Sequence, residues 1–372
     1  MPHALSPLSM PKRTLLGPGP SEVDPRVLQA MATPLVGHLD PEFLTVMGEV
    51  QSLLRTVFQT RNEWTLAVPG TGTAAMEAAV GNLVELGDRV LACVQGYFGE
   101  RLAQMAARYG AEVDRLEHPW GQVFEPATII EALSKSSYKI VTLVHAETST
   151  GALQPAIAEI AQGCHQAGAL LVLDCVTSLG GLELKIDEWG VDVAYSAGQK
   201  CLSGPSGLSP LTVSPSARQI IEGRPMPPPV FYFDLVELNR YWGDSPAYHH
   251  TAPISTMYGL REALRLVIEE GLPARFQRHQ LNARLLWDGL EALGLEMFVP
   301  EKRRVPVLTT VRVPSGHDEA RLRRRLLTEH NIEIAGGFGP LAGQIWRIGL
   351  MGHSSSRSNV ELLLAALKSM LN

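Results

Sequence analysis

The stretch Tyr195-Ser-Ala-Gly-Gln-Lys-Cys-Leu-Ser-Gly-Pro-Ser-Gly207 follows a strand-like run, Val191–Ser196, and places one lysine among small residues. A lysine near a core is costly because its charge is poorly solvated there. The preceding run Leu170-Leu-Val-Leu-Asp174 ends on a carboxylate, which needs either an ionic partner or a helix to cap. The spacing from Asp174 to Lys200 suits a strand, a crossover and a second strand. We therefore expect Asp174 and Lys200 at the same edge of a sheet.

Short apolar runs recur through the first two thirds of the chain, and segments of helical period separate most of them. The runs are Trp64–Val68, Arg89–Val94, Tyr138–His145, Ala169–Asp174, Val191–Ala197 and Leu208–Val213. Alternation of this kind predicts an α/β fold with a mainly parallel sheet and helices on both faces. Ligands of such sheets bind at the carboxyl ends of the strands.

The rest of the chain predicts further units. Residues 1–25 are rich in proline and glycine and predict an irregular N-terminal arm. Long helical patterns over 255–270 and 273–293 lead into a strand, a helix, a strand and a final helix, which together predict a small α+β domain. We place the large domain at 26–265 and the small C-terminal domain at 266–372.

Composition narrows the functional classes. The 372 residues carry a net charge of −6, and no basic tract is present, which disfavours nucleic acid as a partner. No apolar window is long enough to predict a membrane span, and the N-terminal residues show no signal-peptide pattern, so we expect a cytoplasmic protein. The four cysteines lack metal-binding spacing and are expected to be buried free thiols. His249 and His250 are adjacent, and adjacent histidines usually point apart, so we expect no metal site there.

Two further features lie just after strand-like runs. The loop Val68-Pro-Gly-Thr-Gly-Thr-Ala-Ala75 opens a helix, where backbone N–H groups and the helix dipole suit a phosphate or an ordinary cap. Phe98 follows the run that ends at Val94. A phosphate cradle, an aromatic face, an acid and a lysine would all be used by pyridoxal 5'-phosphate. Lys200 would form the Schiff base and Asp174 would hold the pyridine nitrogen protonated.

Ordered motifs along nearly the whole chain resemble those of the class V, fold-type I aminotransferases, in particular the alanine–glyoxylate and serine–pyruvate group. The motifs are LLGPGPSEVDPRV, FQTRN, HAETSTGALQP, LLVLDCVTSLGG, YSAGQK, YHHTAP, AGGFGP and WRIGLMG. The resemblance implies a large domain built on a mainly parallel seven-stranded sheet, a smaller C-terminal α+β domain and pyridoxal phosphate as cofactor.

The resemblance also assigns roles to matching positions. Those implied to contact the cofactor are Thr71, Gly72, Thr73, Phe98, Thr148, Asp174, Val176, Gln199 and Lys200, and those implied to serve the neighbouring subunit's cofactor phosphate are Tyr248 and Thr251. Arg347 matches the arginine that binds the substrate α-carboxylate, with weaker substrate roles for Ser178 and Gly19. Thr71, Thr73, Phe98 and Thr148 replace serine, histidine, tryptophan and serine in the family pattern. The imidazole lost at Thr73 leaves a contact that rests on backbone N–H groups.

These assignments imply a homodimer and transamination from L-alanine or L-serine to glyoxylate. Lys200 and Asp174 are the implied catalytic residues. The alternatives are a sister aminotransferase that uses ureidoglycine or an aminophosphonate, and a non-catalytic interaction subunit that kept the fold. A cysteine desulfurase is disfavoured because no cysteine follows Cys201.

Overall fold

The computed structural model describes residues 6–243 and 245–371. Its strands are β1 (Thr14–Leu15), β2 (Trp64–Pro69), β3 (Arg89–Val94), β4 (Glu112–Glu117), β5 (Ile140–Val144), β6 (Ala146–Glu147), β7 (Ala152–Leu153), β8 (Leu170–Asp174), β9 (Val193–Tyr195), β10 (Leu208–Val213), β11 (Leu308–Arg312), β12 (Ile332–Glu333), β13 (Ala335–Gly336) and β14 (Ile345–Gly349). Its α-helices are α1 (Pro25–Met31), α2 (Pro41–Phe58), α3 (Gly72–Leu83), α4 (Tyr97–Arg108), α5 (Pro126–Lys135), α6 (Ile157–Gln166), α7 (Ile186–Trp189), α8 (Pro215–Glu222), α9 (Leu235–Trp242), α10 (Ile254–Glu270), α11 (Leu272–Ala292), α12 (Glu319–Glu329) and α13 (Arg357–Leu371). Within these described ranges, no helix is both long and apolar enough to cross a membrane.

The central sheet has seven strands in the order β2-β10-β9-β8-β5-β3-β4. All its pairings are parallel except those of β10, which runs antiparallel to β2 and to β9. The inner strands β5 and β8 are buried along their whole length and mostly apolar, because helices cover both faces. The α/β class and the mainly parallel seven-stranded sheet are therefore confirmed.

Strand β4 is the one member of this sheet that the sequence pattern did not reveal. Its residues, Glu-Val-Asp-Arg-Leu-Glu, are half-buried or exposed because β4 pairs only with β3 at the edge of the sheet. Charged side chains on an edge strand prevent pairing with other chains, and they also remove the apolar run that marks an inner strand.

Helix α2 shows how local sequence sets an element. The carboxylate of Asp40 accepts from the backbone N–H of Glu42 at 2.9 Å, and Pro41 occupies the first turn. Its buried residues recur at helical spacing and pack into the main core: Phe43, Met47, Val50, Leu54, Val57 and Phe58. The helix ends at Phe58, and the next residue, Gln59, adopts a left-handed conformation with φ of 52°.

A second core lies in the C-terminal part of the chain. Helices α11, α12 and α13 pack with the antiparallel sheet β11-β14-β13 around a buried cluster that includes Leu286 and Trp346. The N-terminal segment joins this cluster through Leu16, and β1 pairs in parallel with β12. Val267, in α10, belongs to the main core although it lies beyond residue 265. The position of the domain boundary stays a prediction.

Candidate active site

One cavity of about 270 Å³ collects most of the side chains that the sequence singles out. From the set named above it is lined by Gly19, Thr71, Gly72, Thr73, Phe98, Thr148, Asp174, Val176, Gln199, Lys200 and Arg347. The cavity lies at the carboxyl ends of β2, β3, β8 and β9, where an α/β sheet binds its ligands.

Asp174 lies at the end of β8 and is 2 % exposed. One carboxylate oxygen accepts from the backbone N–H of Val176 at 2.8 Å, and the other accepts from the hydroxyl of Tyr195, also at 2.8 Å. Burial raises the pKa of Asp174 to about 6, and these two hydrogen bonds oppose the rise. Both hydrogen bonds come from neutral donors. The negative charge of the carboxylate is therefore available to a cation in the cavity.

Lys200 lies in the turn after β9 and shares the cavity with Asp174, as expected, although the two side chains form no direct ion pair in the described structure. Its ammonium nitrogen donates to the carbonyl of Pro18. Burial lowers the pKa of Lys200 to about 8. Gly19 has a φ of +109°, and a Cβ there would lie 2.7 Å from Cδ of Lys200. The chain needs glycine at this position for both reasons.

The N-terminus of α3 opens onto the same cavity. The N-cap Thr71 makes no side-chain capping hydrogen bond, so the loop differs from an ordinary capped helix start. At Gly72, a Cβ would lie 3.1 Å from the side chain of Val176. The amide oxygen of Gln199 is buried and has no hydrogen-bond partner. The backbone N–H groups at this helix start suit an anion, whereas the Gln199 amide oxygen is an acceptor and needs a donor.

Arg347 is 3 % exposed and comes from β14 of the C-terminal core. Its Nε donates to the carbonyl of Gly336 at 2.7 Å, and one terminal nitrogen donates to the carbonyl of Thr148 at 3.2 Å. The Phe338 ring centroid lies 3.9 Å from the guanidinium carbon. Burial lowers the pKa of Arg347 to about 10. The guanidinium is held by neutral carbonyls, so its charge can be matched by a carboxylate in the cavity.

Three residues of the predicted site do not line this cavity. Tyr248 is 64 % exposed, and Thr251 is also exposed. Ser178 is fully buried, and its hydroxyl is hydrogen-bonded to Nδ1 of His145 at 2.9 Å. The structure thus engages the Ser178 hydroxyl elsewhere and does not bring it to the cavity.

The expectation that His249 and His250 point apart is wrong. Their Nδ1 atoms lie 2.9 Å apart, so one ring donates to the other, and His249 also stacks on Phe231. Tight packing of this aromatic cluster overrides the alternation of side-chain directions. The four cysteines are buried and unpaired, as the sequence indicated.

Several side chains at the site escaped the sequence analysis. Met76, Ser206 and Phe338 line the cavity, and Tyr195 contacts Asp174 from the neighbouring strand. Tyr195 could have been found, because the hydroxyl of a buried tyrosine usually finds a hydrogen-bond partner and the neighbouring strand ends on Asp174. Phe338 could not, because the fold alone brings the loop after β13 against Arg347.

Comparison with known proteins gives the family. The aminotransferase class-V family model matches residues 14–357. The chain belongs to the class-V aminotransferase family. It is 43 % identical to the (S)-ureidoglycine–glyoxylate transaminase of Bacillus subtilis, covering 98 % of this chain and 92 % of that one. It is 42 % identical to the alanine–glyoxylate aminotransferase of Drosophila melanogaster, covering 97 % and 93 %.

A solved structure agrees with this class-V assignment. The alanine–glyoxylate aminotransferase of Nostoc sp. is 52 % identical, with a TM-score of 0.98 over 99 % of this chain and 98 % of that one. The protein is a pyridoxal-phosphate-dependent aminotransferase of the class-V family. The fold-type I expectation is confirmed with it, and a non-catalytic role for the chain is set aside.

The residues of this class-V site fit the cofactor. The uncapped helix start suits its phosphate, and Asp174 offers a buried carboxylate to a protonated ring nitrogen. Lys200 supplies a primary amine in the same cavity. Each polar part of the cofactor thus has a complementary group in the described chain.

Proposed function

We propose that this enzyme transfers the amino group of L-alanine or L-serine to glyoxylate, giving glycine and pyruvate or hydroxypyruvate. The observation that carries the proposal is the Arg347 end of the cavity. A guanidinium held on two sides by carbonyls is covered by the Phe338 ring, which leaves an apolar wall beside the carboxylate site. A donor with a short side chain suits that wall.

In this proposal each residue of the cavity has a separate role in the reaction. Bound pyridoxal phosphate supplies an aldehyde and a ring that accepts the electron pair left when the donor Cα loses its proton. Asp174 keeps the ring nitrogen protonated, and Phe98 and Val176 pack on the ring. Arg347 orients the donor through its α-carboxylate. The Lys200 amine, once free, would take the proton from the donor Cα and would deliver it to the carbon of the cofactor's aldehyde group.

Transfer of ureidoglycine nitrogen to glyoxylate is the second candidate. It is favoured by the identity to the Bacillus subtilis transaminase, which is similar in degree to that of the Drosophila melanogaster enzyme. Both reactions use glyoxylate, so the donor distinguishes them. An aminophosphonate donor is a further alternative that the same experiment addresses.

The test is to follow the visible absorption of the loaded enzyme with one donor at a time. Alanine or serine should bleach the cofactor band, and glyoxylate should restore it, with ping-pong steady-state kinetics. Lys200→Ala should lose essentially all turnover. Bleaching by ureidoglycine or by an aminophosphonate, with no response to alanine or serine, would overturn the donor assignment and leave the class-V chemistry intact.

We also propose that two copies form a dimer in which Tyr248 and Thr251 reach the cofactor phosphate of the neighbouring subunit. The exposure of Tyr248 supports this proposal, since a large aromatic side chain at a surface is typical of an interface. A cytoplasmic location stays a prediction that the four free thiols support.

A further inference from the structure

The start of helix α4, which carries Phe98, has no cap of its own. Its N-cap is Gly96, which has no side chain to accept from the first-turn N–H groups. A Cβ at this position would lie 2.4 Å from Cγ of Glu147 and 2.6 Å from the hydroxyl of Ser149. The glycine therefore makes room for two polar side chains that come from a distant segment.

Those two side chains act as the cap. Glu147 is fully buried, and its carboxylate accepts from the backbone N–H groups of Phe98 at 3.3 Å and Gly99 at 3.4 Å. It also accepts from the backbone N–H of Ser149 at 3.0 Å and from its hydroxyl at 2.6 Å. The Ser149 hydroxyl in turn accepts from the N–H of Tyr97 at 3.0 Å. The first three residues of α4 are thus bound from outside the helix.

The hydrogen-bond donors that surround Glu147 also stabilise its negative charge. In the described ranges, no lysine or arginine nitrogen forms an ion pair with this carboxylate, so its partners are N–H and O–H donors and the positive end of the α4 dipole. Burial raises the pKa of Glu147, and the hydrogen bonds from Ser149, Phe98 and Gly99 lower it. Loss of the carboxylate would leave buried donors without an acceptor.

The segment that carries Glu147 also contacts the substrate side of the cavity. The next residue, Thr148, lines the cavity, and its carbonyl accepts from Arg347. Phe98 lines the same cavity from the α4 side. Residues 147–149 therefore connect the aromatic residue to the arginine through one short stretch of chain.

We propose that Glu147 is a positioning residue, which together with Ser149 fixes the start of α4 and so holds Phe98 at its place against the pyridoxal ring. The inference rests on the proposed stacking of Phe98 on that ring. Glu147 acts through the backbone N–H groups of Phe98 and Gly99 and does not itself line the cavity.

The experiment measures the affinity of the apoprotein for pyridoxal phosphate, the visible circular dichroism of the bound cofactor, and the kcat and KM of the donor half-reaction. Glu147→Gln keeps the shape but replaces one acceptor oxygen with an NH₂ donor, which then faces either the N–H groups of Phe98 and Gly99 or the donors of Ser149. It should weaken cofactor affinity by about tenfold and reduce the visible circular dichroism. Glu100→Gln is the matched control, because Glu100 lies in the first turn of the same helix and pairs with Arg115 at the surface. It should change neither quantity.

A double-mutant cycle with Phe98→Leu separates positioning from general stabilisation. If Glu147 acts through Phe98, the two losses of affinity should combine less than additively. Additive losses, or unchanged affinity and circular dichroism in Glu147→Gln, would overturn the inference. Ser149→Ala, which keeps the carboxylate, gives the same readout with a smaller expected loss if Glu147→Gln does not fold.

The single variant Phe98→Leu distinguishes this inference from the proposal beneath it. Unchanged affinity in Phe98→Leu would mean that the stacking assignment fails, and the Glu147 inference with it. A loss in Phe98→Leu without a loss in Glu147→Gln would overturn the Glu147 inference alone.

Discussion

The properties of Lys200 at the residue scale come from where its amine lies. Burial disfavours the ammonium form, and the nearest polar partner is a neutral carbonyl, that of Pro18. The ammonium form of Lys200 is therefore poorly stabilised in the apoprotein, and the lysine reacts as a free amine at moderate pH.

The rate at which the apoprotein captures pyridoxal phosphate should rise with pH and reach half its maximum near pH 8, where Lys200 loses its proton. Stopped-flow absorption at a series of pH values measures this, with a free lysine derivative as the reference amine. A midpoint near the reference value of 10.5 would show that burial does not control the lysine.

The same pKa shift predicts a stability effect. Because the folded-state pKa of Lys200 is lowered, the unfolded chain binds more protons between pH 8 and 10.5, and apoprotein stability should rise with pH across that range. Below pH 8 Lys200 is charged in the folded and the unfolded chain, and the buried charge destabilises the folded apoprotein by its full amount. The Lys200→Met apoprotein should therefore melt at a higher temperature than the wild-type apoprotein at pH 7, by differential scanning calorimetry. An equal or lower melting temperature would contradict this.

Arg347 should contribute mainly to donor binding. Arg347→Lys removes the planar fork that holds a carboxylate, so KM for the donor should rise by about 100-fold while kcat falls less. Arg323→Lys is the matched control, because Arg323 pairs with Glu319 in the same C-terminal unit and does not line the cavity. A fall in kcat at constant KM would assign Arg347 to the chemical step instead.

At the scale of elements, the N-terminal segment connects both sides of the site. The carbonyl of Leu16 accepts from the N–H of Gly349 at 2.8 Å, and the hydroxyl of Ser21 donates to the carbonyl of Lys200 at 2.7 Å. The segment between them passes over the cavity and places Gly19 beside the lysine. Strand β14 and the turn after β9 that carries Lys200, called the lysine turn below, are thus held by one short piece of chain.

Gly349→Ala should loosen this arrangement. A Cβ at residue 349 would lie 2.0 Å from the carbonyl oxygen of Gly17, which is backbone and must move. We expect a lower melting temperature and a higher KM for the donor. Gly48→Ala is the control, because a Cβ in that turn of α2 meets no atom within 4 Å and should stabilise the helix by about 0.5–1 kcal/mol. Equal effects of the two substitutions on melting temperature and KM would show that the contact with Gly17 does not limit stability or donor binding.

The elements differ in how far the sequence predicts them. Strands β3 and β10 have the predicted bounds, because their apolar runs coincide with the residues that pair in the sheet. Strand β9 is shorter than the predicted run, since only Val193–Tyr195 pairs with both neighbours. After Tyr195 the N–H groups of Ser196 and Gly198 still donate to carbonyls of β10, and the chain then forms the turn that carries Lys200. Glycine-rich local sequence signals that turn without fixing the residue at which it begins.

At the scale of the whole molecule, the site joins two cores. The sheet of the main core supplies Asp174 and the lysine turn, and the C-terminal core supplies Arg347. The strand-end residues could be predicted because parallel strands bring their carboxyl ends to one edge. The contacts of Glu147 with α4 and of Phe338 with Arg347 could not, because they depend on how distant segments pack.

The proposed dimer gives the largest-scale prediction. If Tyr248 and Thr251 serve the partner's cofactor, a Lys200→Ala subunit still offers both side chains to its partner. A Tyr248→Ala/Thr251→Ala subunit lacks them but keeps its own lysine. A mixed dimer then contains one complete site, whereas each parent dimer contains none. Co-refolding equal amounts of the two variants should give half mixed dimers and about a quarter of wild-type activity.

The readout for this complementation is transaminase activity of the refolded mixture, with light scattering to establish the oligomeric state. Each variant refolded alone is the control and should stay well below the mixture. If the double variant alone is as active as wild type, Tyr248 and Thr251 contribute nothing to either site. If both variants are impaired and the mixture shows no gain, the two side chains serve their own subunit, because a mixed dimer would then hold no complete site. A gain in the mixture follows only when the cofactor of one subunit is bound by residues of the other.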